Sequence, residues 1–137
     1  GTRHYVCFVE GLDSYDIVKE GRVIRTKGRE LEPVGANVNF VEPVGEGAIR
    51  VRTYEKGVED ETFACGTGIV ASAMASYVHG VRPMISEDEN GHIHAMYTVY
   101  AKRDILAVSF SVIPGETWSA ADVWLTGPAA CVAEINI

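Results

Sequence analysis

The sequence predicts a mixed, strand-rich α/β (α+β) domain wrapped around one central buried helix. Three observations predict it. Short runs of β-branched and aromatic residues recur between Gly, Pro and Asp turn signals. The segment from Ile69 to Val78 carries no charge at all, so as a helix it must be buried all round. The chain has 137 residues, 47% of them hydrophobic, enough for one real core and too few for two.

The elements follow in order. Tyr5-Val6-Cys7-Phe8-Val9 reads as a buried strand. A helix is expected from about Ser14 to Arg25, capped by Asp13 or Ser14 and weakened by Gly21. Lys27 to Gly35 reads as a polar loop. Asn37 to Val44 and Ala48 to Tyr54 form two strands across the Gly45-Glu46-Gly47 turn. Gly57 to Glu61 reads as a solvated acidic loop leading to the uncharged helix, which Gly80 stops, with Pro83 beyond. His92 to Ala101 and Ile105 to Ile113 make a hairpin across Lys102-Arg103-Asp104. Val123 to Thr126 and Ala130 to Ile135 flank a Gly127-Pro128 turn.

Composition narrows the partners. A net charge of −7 argues against nucleic acid, whose binding rests on clustered Lys and Arg. It leaves room for a small anionic ligand, because one local cation or helix end outweighs the global charge. No apolar run is long enough to cross a bilayer, and no basic-then-apolar leader pattern opens the chain. Cys7, Cys65 and Cys131 are too few and too scattered for a disulfide framework or a zinc site, which fits a reducing cytoplasm. No metal is expected, since His92 and His94 lack a third ligand nearby and read as solvent-facing. His79 is expected near the end of the uncharged helix. The chain opens Gly1-Thr2-Arg3-His4 without an initiator Met and runs straight into a strand, so it reads as a piece of a longer protein.

The chemistry concentrates at Ala64-Cys65-Gly66-Thr67-Gly68, just ahead of the uncharged helix. A thiol there feels the positive end of the helix dipole, which favours thiolate. Two glycines let a ligand approach the backbone, and the free N–H groups suit a carboxylate or oxyanion. On local sequence alone a buried Cys serving as a small hydrophobe in a turn stands equally open. Cys7 and Cys131, in apolar strand contexts, read as packing residues.

Wider motifs bear on that choice. Asn37-Val38-Asn39-Phe40-Val41-Glu42, the block from Arg52 through Glu55-Lys56-Gly57 to Thr62 and on into Ala64-Cys65-Gly66-Thr67-Gly68, Leu125-Thr126-Gly127-Pro128-Ala129, and His4-Tyr5-Val6 occur in that set along the whole chain. In these motifs the sequence resembles the C-terminal half of the diaminopimelate epimerases. The resemblance implies one half of a two-part fold, with the N-terminal half absent here. It implies an epimerase without cofactor, in which one cysteine as thiolate removes the α-proton and a second, as thiol, protonates the opposite face. LL- and meso-diaminopimelate would thus interconvert, in the lysine and peptidoglycan precursor pathway of a bacterium. Carried over, Cys65 is the second cysteine, and Glu55 and His4 match the active-site glutamate and histidine. Gly66, Thr67 and Gly68 would hold the reacting carboxylate. Asn37 would accept from the distal amine, and Lys56 would meet the distal carboxylate.

The sequence departs from the family at Lys56, where Arg is usual, and at Thr2 and Arg3, where Asn-Pro is usual. The isolated chain, with one cysteine of the pair, is expected to be inactive. Its partners would be the amino-acid substrate and the missing half, and a homodimer is left open. Two alternatives remain: a racemase of related fold acting on proline, hydroxyproline or another amino acid, and a non-catalytic binding domain in which Cys65 is inert.

Overall fold

The computed structural model describes residues 3–27, 36–63, 65–113, 119–127 and 131–135. Nine strands among them form one sheet: β1 (Arg3–Phe8), β2 (Ala36–Gly45), β3 (Ala48–Glu55), β4 (Asp60–Thr62), β5 (Met84–Glu87), β6 (Ile93–Tyr100), β7 (Ile105–Ile113), β8 (Ser119–Thr126) and β9 (Cys131–Ile135). Two helices accompany them, α1 (Ile17–Lys27) and α2 (Gly66–His79), with a 3-10 turn at Leu12–Ser14. The strand order is β1-β2-β3-β6-β7-β8-β9, with β4 added to β3 and β5 to β6. β1 and β2 are parallel, as are β3 and β6, and the remaining pairs are antiparallel. The expected α+β architecture is the one observed.

Side chains alternate across β1, β2 and β3, so each strand serves two cores. One face buries Val38, Phe40 and Tyr54 against Leu12 and Ile17 beneath α1, with Cys7 packed alongside. The other buries Val41, Ile49 and Val51 against Ile69, Val70 and Ala73 of α2. Tyr97 and Val99 of β6, Val108 and Phe110 of β7, and Val123 and Leu125 of β8 join that second core. The sheet therefore curls around α2. Each fully buried Val, Ile or Phe contributes about 1.5–3 kcal/mol, enough in sum to hold the helix in one position.

The fit at α2 depends on small residues. Ser72 and Ser76 are fully buried, and each hydroxyl donates 2.7 Å back to the carbonyl one turn earlier, Gly68 and Ser72 respectively. Burial all round is not reached. Val78 is 63% exposed, because the sheet covers one side of the helix and leaves its last turn open. Gly80 ends it at φ 95°, its N–H on the Ser76 and Tyr77 carbonyls. His79 stacks on Phe8, ring centroids 4.0 Å apart, which ties the helix end to β1.

Several expectations shift. The first helix begins at Ile17 rather than Ser14, because residues 12–14 are drawn into a 3-10 turn whose Gly11 and Leu12 N–H groups donate to Glu42. Asp16 is then the residue whose carboxylate accepts from the Lys19 N–H. Gly21 does not weaken that helix by accident. A Cβ there would lie 2.4 Å from the Tyr54 ring, so α1 can sit on the sheet only as glycine. The acidic stretch is no free loop: Asp60–Thr62 pairs with β3, and the Glu61 carboxylate accepts from Arg52 Nε and Nη2 at 2.8 and 2.6 Å. His92 and His94 both reach Asp88, and the hydrogen bond from His94 leads in pulling that carboxyl down to about 2. The polar loop of residues 28–35, Ala64, and Pro128 of the last turn lie outside the described residues.

Candidate active site

The stripe that buries valines under α2 turns polar at one end of all three neighbouring strands. On β1 it runs Phe8, Val6, His4; on β2, Val41, Asn39, Asn37; on β3, Val51, Thr53, Glu55. The register sets His4 beside Asn37 and Asn39 beside Thr53, so the polar ends coincide. Above them stands the N-terminus of α2.

Cys65 is the N-cap of that helix. Its carbonyl accepts the Ile69 N–H at 3.0 Å, while its side chain makes no capping bond and is exposed. The Gly66, Thr67 and Gly68 amides occupy the first turn, where no intrahelical acceptor exists. Thr67 Oγ1 lies 3.3 Å from Cys65 Sγ and 3.1 Å from His4 Nε2. His4 Nδ1 lies 3.1 Å from Asn39 Nδ2, and Asn39 Oδ1 accepts from the Thr53 hydroxyl at 2.9 Å. Burial holds the His4 imidazole below its ordinary value, favouring the neutral ring. A continuous polar row thus links β3 to the sulfur.

Two glycines make that row possible. A Cβ on Gly68 would lie 2.9 Å from Asn39 Oδ1 and 3.3 Å from His4 Cε1, and one on Gly66 would lie 3.0 Å from Leu125. The residues from 66 to 68 therefore bring helix backbone directly onto the site.

The structure brings together His4, Cys65, Thr67 and Gly68 of the expected residues, with Gly66 beside them. Glu55 and Lys56 sit at the end of β3 on the same edge, but no hydrogen bond among the described residues joins their side chains to the row. Asn37 Oδ1 accepts the Lys56 N–H at 2.9 Å, which ties together the two residues expected at the distal end; one lone pair of that oxygen and the NH2 group remain for a ligand. Nothing in the local sequence sets Asn39 or Thr53 apart; their pairing across β2 and β3 does. A cavity of about 470 Å³, lined by Arg50, Arg52, Glu61 and Lys102 among others, does not include Cys65. There Arg52 is held by Glu61 and by the Leu12 and Tyr15 carbonyls, which makes it a structural cross-link.

The thiols differ in a way that is directly measurable. Cys7 is half-buried and burial pushes its thiol up, whereas Cys65 is exposed at a helix N-terminus. Competitive alkylation near neutral pH, read by mass spectrometry, is expected to label Cys65 well before Cys7. Equal labelling in the folded chain would mark Cys65 as an inert turn cysteine.

The sequence model of the family described as diaminopimelate epimerase matches residues 1–97. Diaminopimelate epimerase of Aquifex aeolicus is 52% identical over 81 residues, 59% of this chain and 29% of that protein. The protein of the same name from Methanocella arvoryzae is 38% identical over 138 residues, covering 100% of this chain and 41% of that protein. The one from Flavobacterium psychrophilum is 34% identical over 137 residues, covering 100% and 48%. The chain thus spans less than half the length of these relatives.

Proposed function

The chain belongs to the diaminopimelate epimerase family, and on that premise we propose that it forms one half of a two-cysteine, cofactor-independent epimerase acting on diaminopimelate. The observation that carries the reading is Cys65: an exposed sulfur at a helix N-cap, unused in capping, 3.3 Å from a hydroxyl that is itself 3.1 Å from an imidazole. An amino acid's α-proton is a very weak acid, so the developing carbanion needs strong, preorganised stabilisation. The Gly66, Thr67 and Gly68 amides supply it to the α-carboxylate at the positive end of α2.

In one direction the Cys65 thiolate takes the α-proton: the C–H bond breaks, S–H forms, and the electron pair spreads onto the carboxylate. A thiol on the other half then delivers a proton to the opposite face, and its S–H bond breaks as the new C–H forms. The reverse direction exchanges the two sulfurs' roles. Glu55 and His4 bear on proton handling, while Lys56 and the Asn37 amide meet the distal end of the substrate. A free nucleophilic thiol suits a reducing cytoplasm, and the reaction belongs to lysine and cell-wall precursor synthesis.

Two faces of one carbon need two sulfurs. The 137-residue chain incubated alone with LL-diaminopimelate in heavy water is therefore expected to give no inversion. The parent protein carrying both halves is expected to form the meso isomer with deuterium at the α-carbon. Inversion by the isolated chain at the parent's rate would overturn the two-half reading.

A further inference from the structure

Asn39 is completely buried, and its amide has three partners, of which one, a backbone carbonyl, has a fixed role. The Tyr5 carbonyl, 3.2 Å away, can only accept, so the atom facing it is the NH2 group. That places Oδ1 toward Thr53, whose hydroxyl donates to it at 2.9 Å. The same NH2 faces His4 Nδ1 at 3.1 Å, so Nδ1 must be an acceptor and carry no proton. A neutral His4 then has its proton on Nε2 and donates it to Thr67 Oγ1. Flipping the amide would set Oδ1 against the Tyr5 carbonyl, and protonating Nδ1 would set two donors face to face. Neither alternative fits a site this closely packed.

The consequence falls on Thr67. With Nε2–H donating to its oxygen, the Thr67 hydroxyl keeps its own proton for the sulfur 3.3 Å away. If Nε2 were bare, it would draw that proton to itself and leave a thiolate without the bond. We propose that Asn39 is a positioning residue, which fixes His4 as the Nε2–H tautomer so that Thr67 donates to Cys65 while the sulfur is a thiolate. When the sulfur returns as a thiol, its S–H donates to a remaining lone pair of Thr67 Oγ1, and the row adapts without moving a heavy atom. In this arrangement His4 is a fixed donor and not the base that deprotonates Cys65. This inference rests on the proposed acid–base role of Cys65.

Nitrogen-detected NMR of the His4 ring in the full chain tests the first step. The expected spectrum has Nδ1 unprotonated and Nε2 protonated. Asn39→Asp, measured near pH ~8.5 where imidazole is neutral, offers only acceptors, so the proton is expected to move to Nδ1. Cys65 alkylation should then slow by roughly tenfold, the equivalent of one hydrogen bond to a charged group. Cys7, on the opposite sheet face, should label at its normal rate and so reports an intact fold. Thr67→Val should slow Cys65 labelling to a similar degree, and Thr67→Ser should restore it, which covers the case where Asn39→Asp does not fold. A proton on Nδ1 in the unaltered protein, or Cys65 labelling that is unchanged or faster in Asn39→Asp or Thr67→Val, would overturn the inference. None of these readouts involves turnover, so their failure leaves the epimerase reading standing, and that reading fails separately if α-deuteration is absent in the protein carrying both halves.

Discussion

Replacing Cys65 with alanine in the parent enzyme is expected to lower inversion of diaminopimelate by roughly 10²–10⁴-fold, the range for a positioned proton-transfer group. Substrate affinity should change little, because the amides of Gly66, Thr67 and Gly68 are backbone groups that the substitution leaves in place. The loss should fall on kcat and equally on kcat/KM, the signature of an interaction made in the transition state. Serine separates activity from stability at this position. As an N-cap it should stabilise α2 by about 1 kcal/mol over alanine, since the Cys65 side chain makes no capping bond to be lost. Yet a serine hydroxyl does not ionise near neutral pH and should be as inactive as alanine. Thermal unfolding and the heavy-water assay on both variants check this. Either variant turning over near the unaltered rate would remove Cys65 from the proton path.

What the sequence made legible follows physical range. Strands such as β3 and β7 show themselves because their apolar residues are neighbours in sequence and bury as a set. The α2 N-terminus is legible for the same reason: Cys65, two glycines and the uncharged run are contiguous. Asn39 stood in a motif that was read, but its work is done by Tyr5 and His4, about 35 residues earlier, and by Thr53 across a hairpin. No local pattern announces a bond of that span. Beyond this, β4 and β5 were hidden because they are short and poorly buried. Met84–Glu87 is exposed along its whole length, so it carries no alternation to detect. The start of α1 moved because Glu42, in a distant strand, captures the turn ahead of it. Gly21 looked like a helix weakness because its reason, the Tyr54 ring, lies on another element.

Gly68→Ala sets a local preference against a tertiary contact, and magnitudes decide the outcome. Alanine inside a helix is favoured over glycine by about 0.8–1 kcal/mol. Against that, the new methyl would lie 2.9 Å from Asn39 Oδ1 and 3.3 Å from His4 Cε1. Asn39 is fully buried and bonded to three partners, so it cannot yield without breaking the bond to Thr53 or to His4. Overpacking of this kind costs about 1–3 kcal/mol, and a lost buried hydrogen bond adds about 1 kcal/mol. The helix gain is outweighed, and a net destabilisation of about 1–3 kcal/mol is expected. Activity should fall further than stability, by about 10²-fold, because a shift of an ångström in a catalytic constellation has that effect. Gly80→Ala is the matched control. Its φ of 95° disfavours alanine by about 1 kcal/mol, yet nothing lies near its Cβ and it stands at the far end of the helix. Denaturant unfolding should show both variants weakened, while the heavy-water assay should show only Gly68→Ala impaired. If Gly68→Ala were as stable and as active as the unaltered enzyme, the close approach of α2 to His4 and Asn39 would have no part in the chemistry.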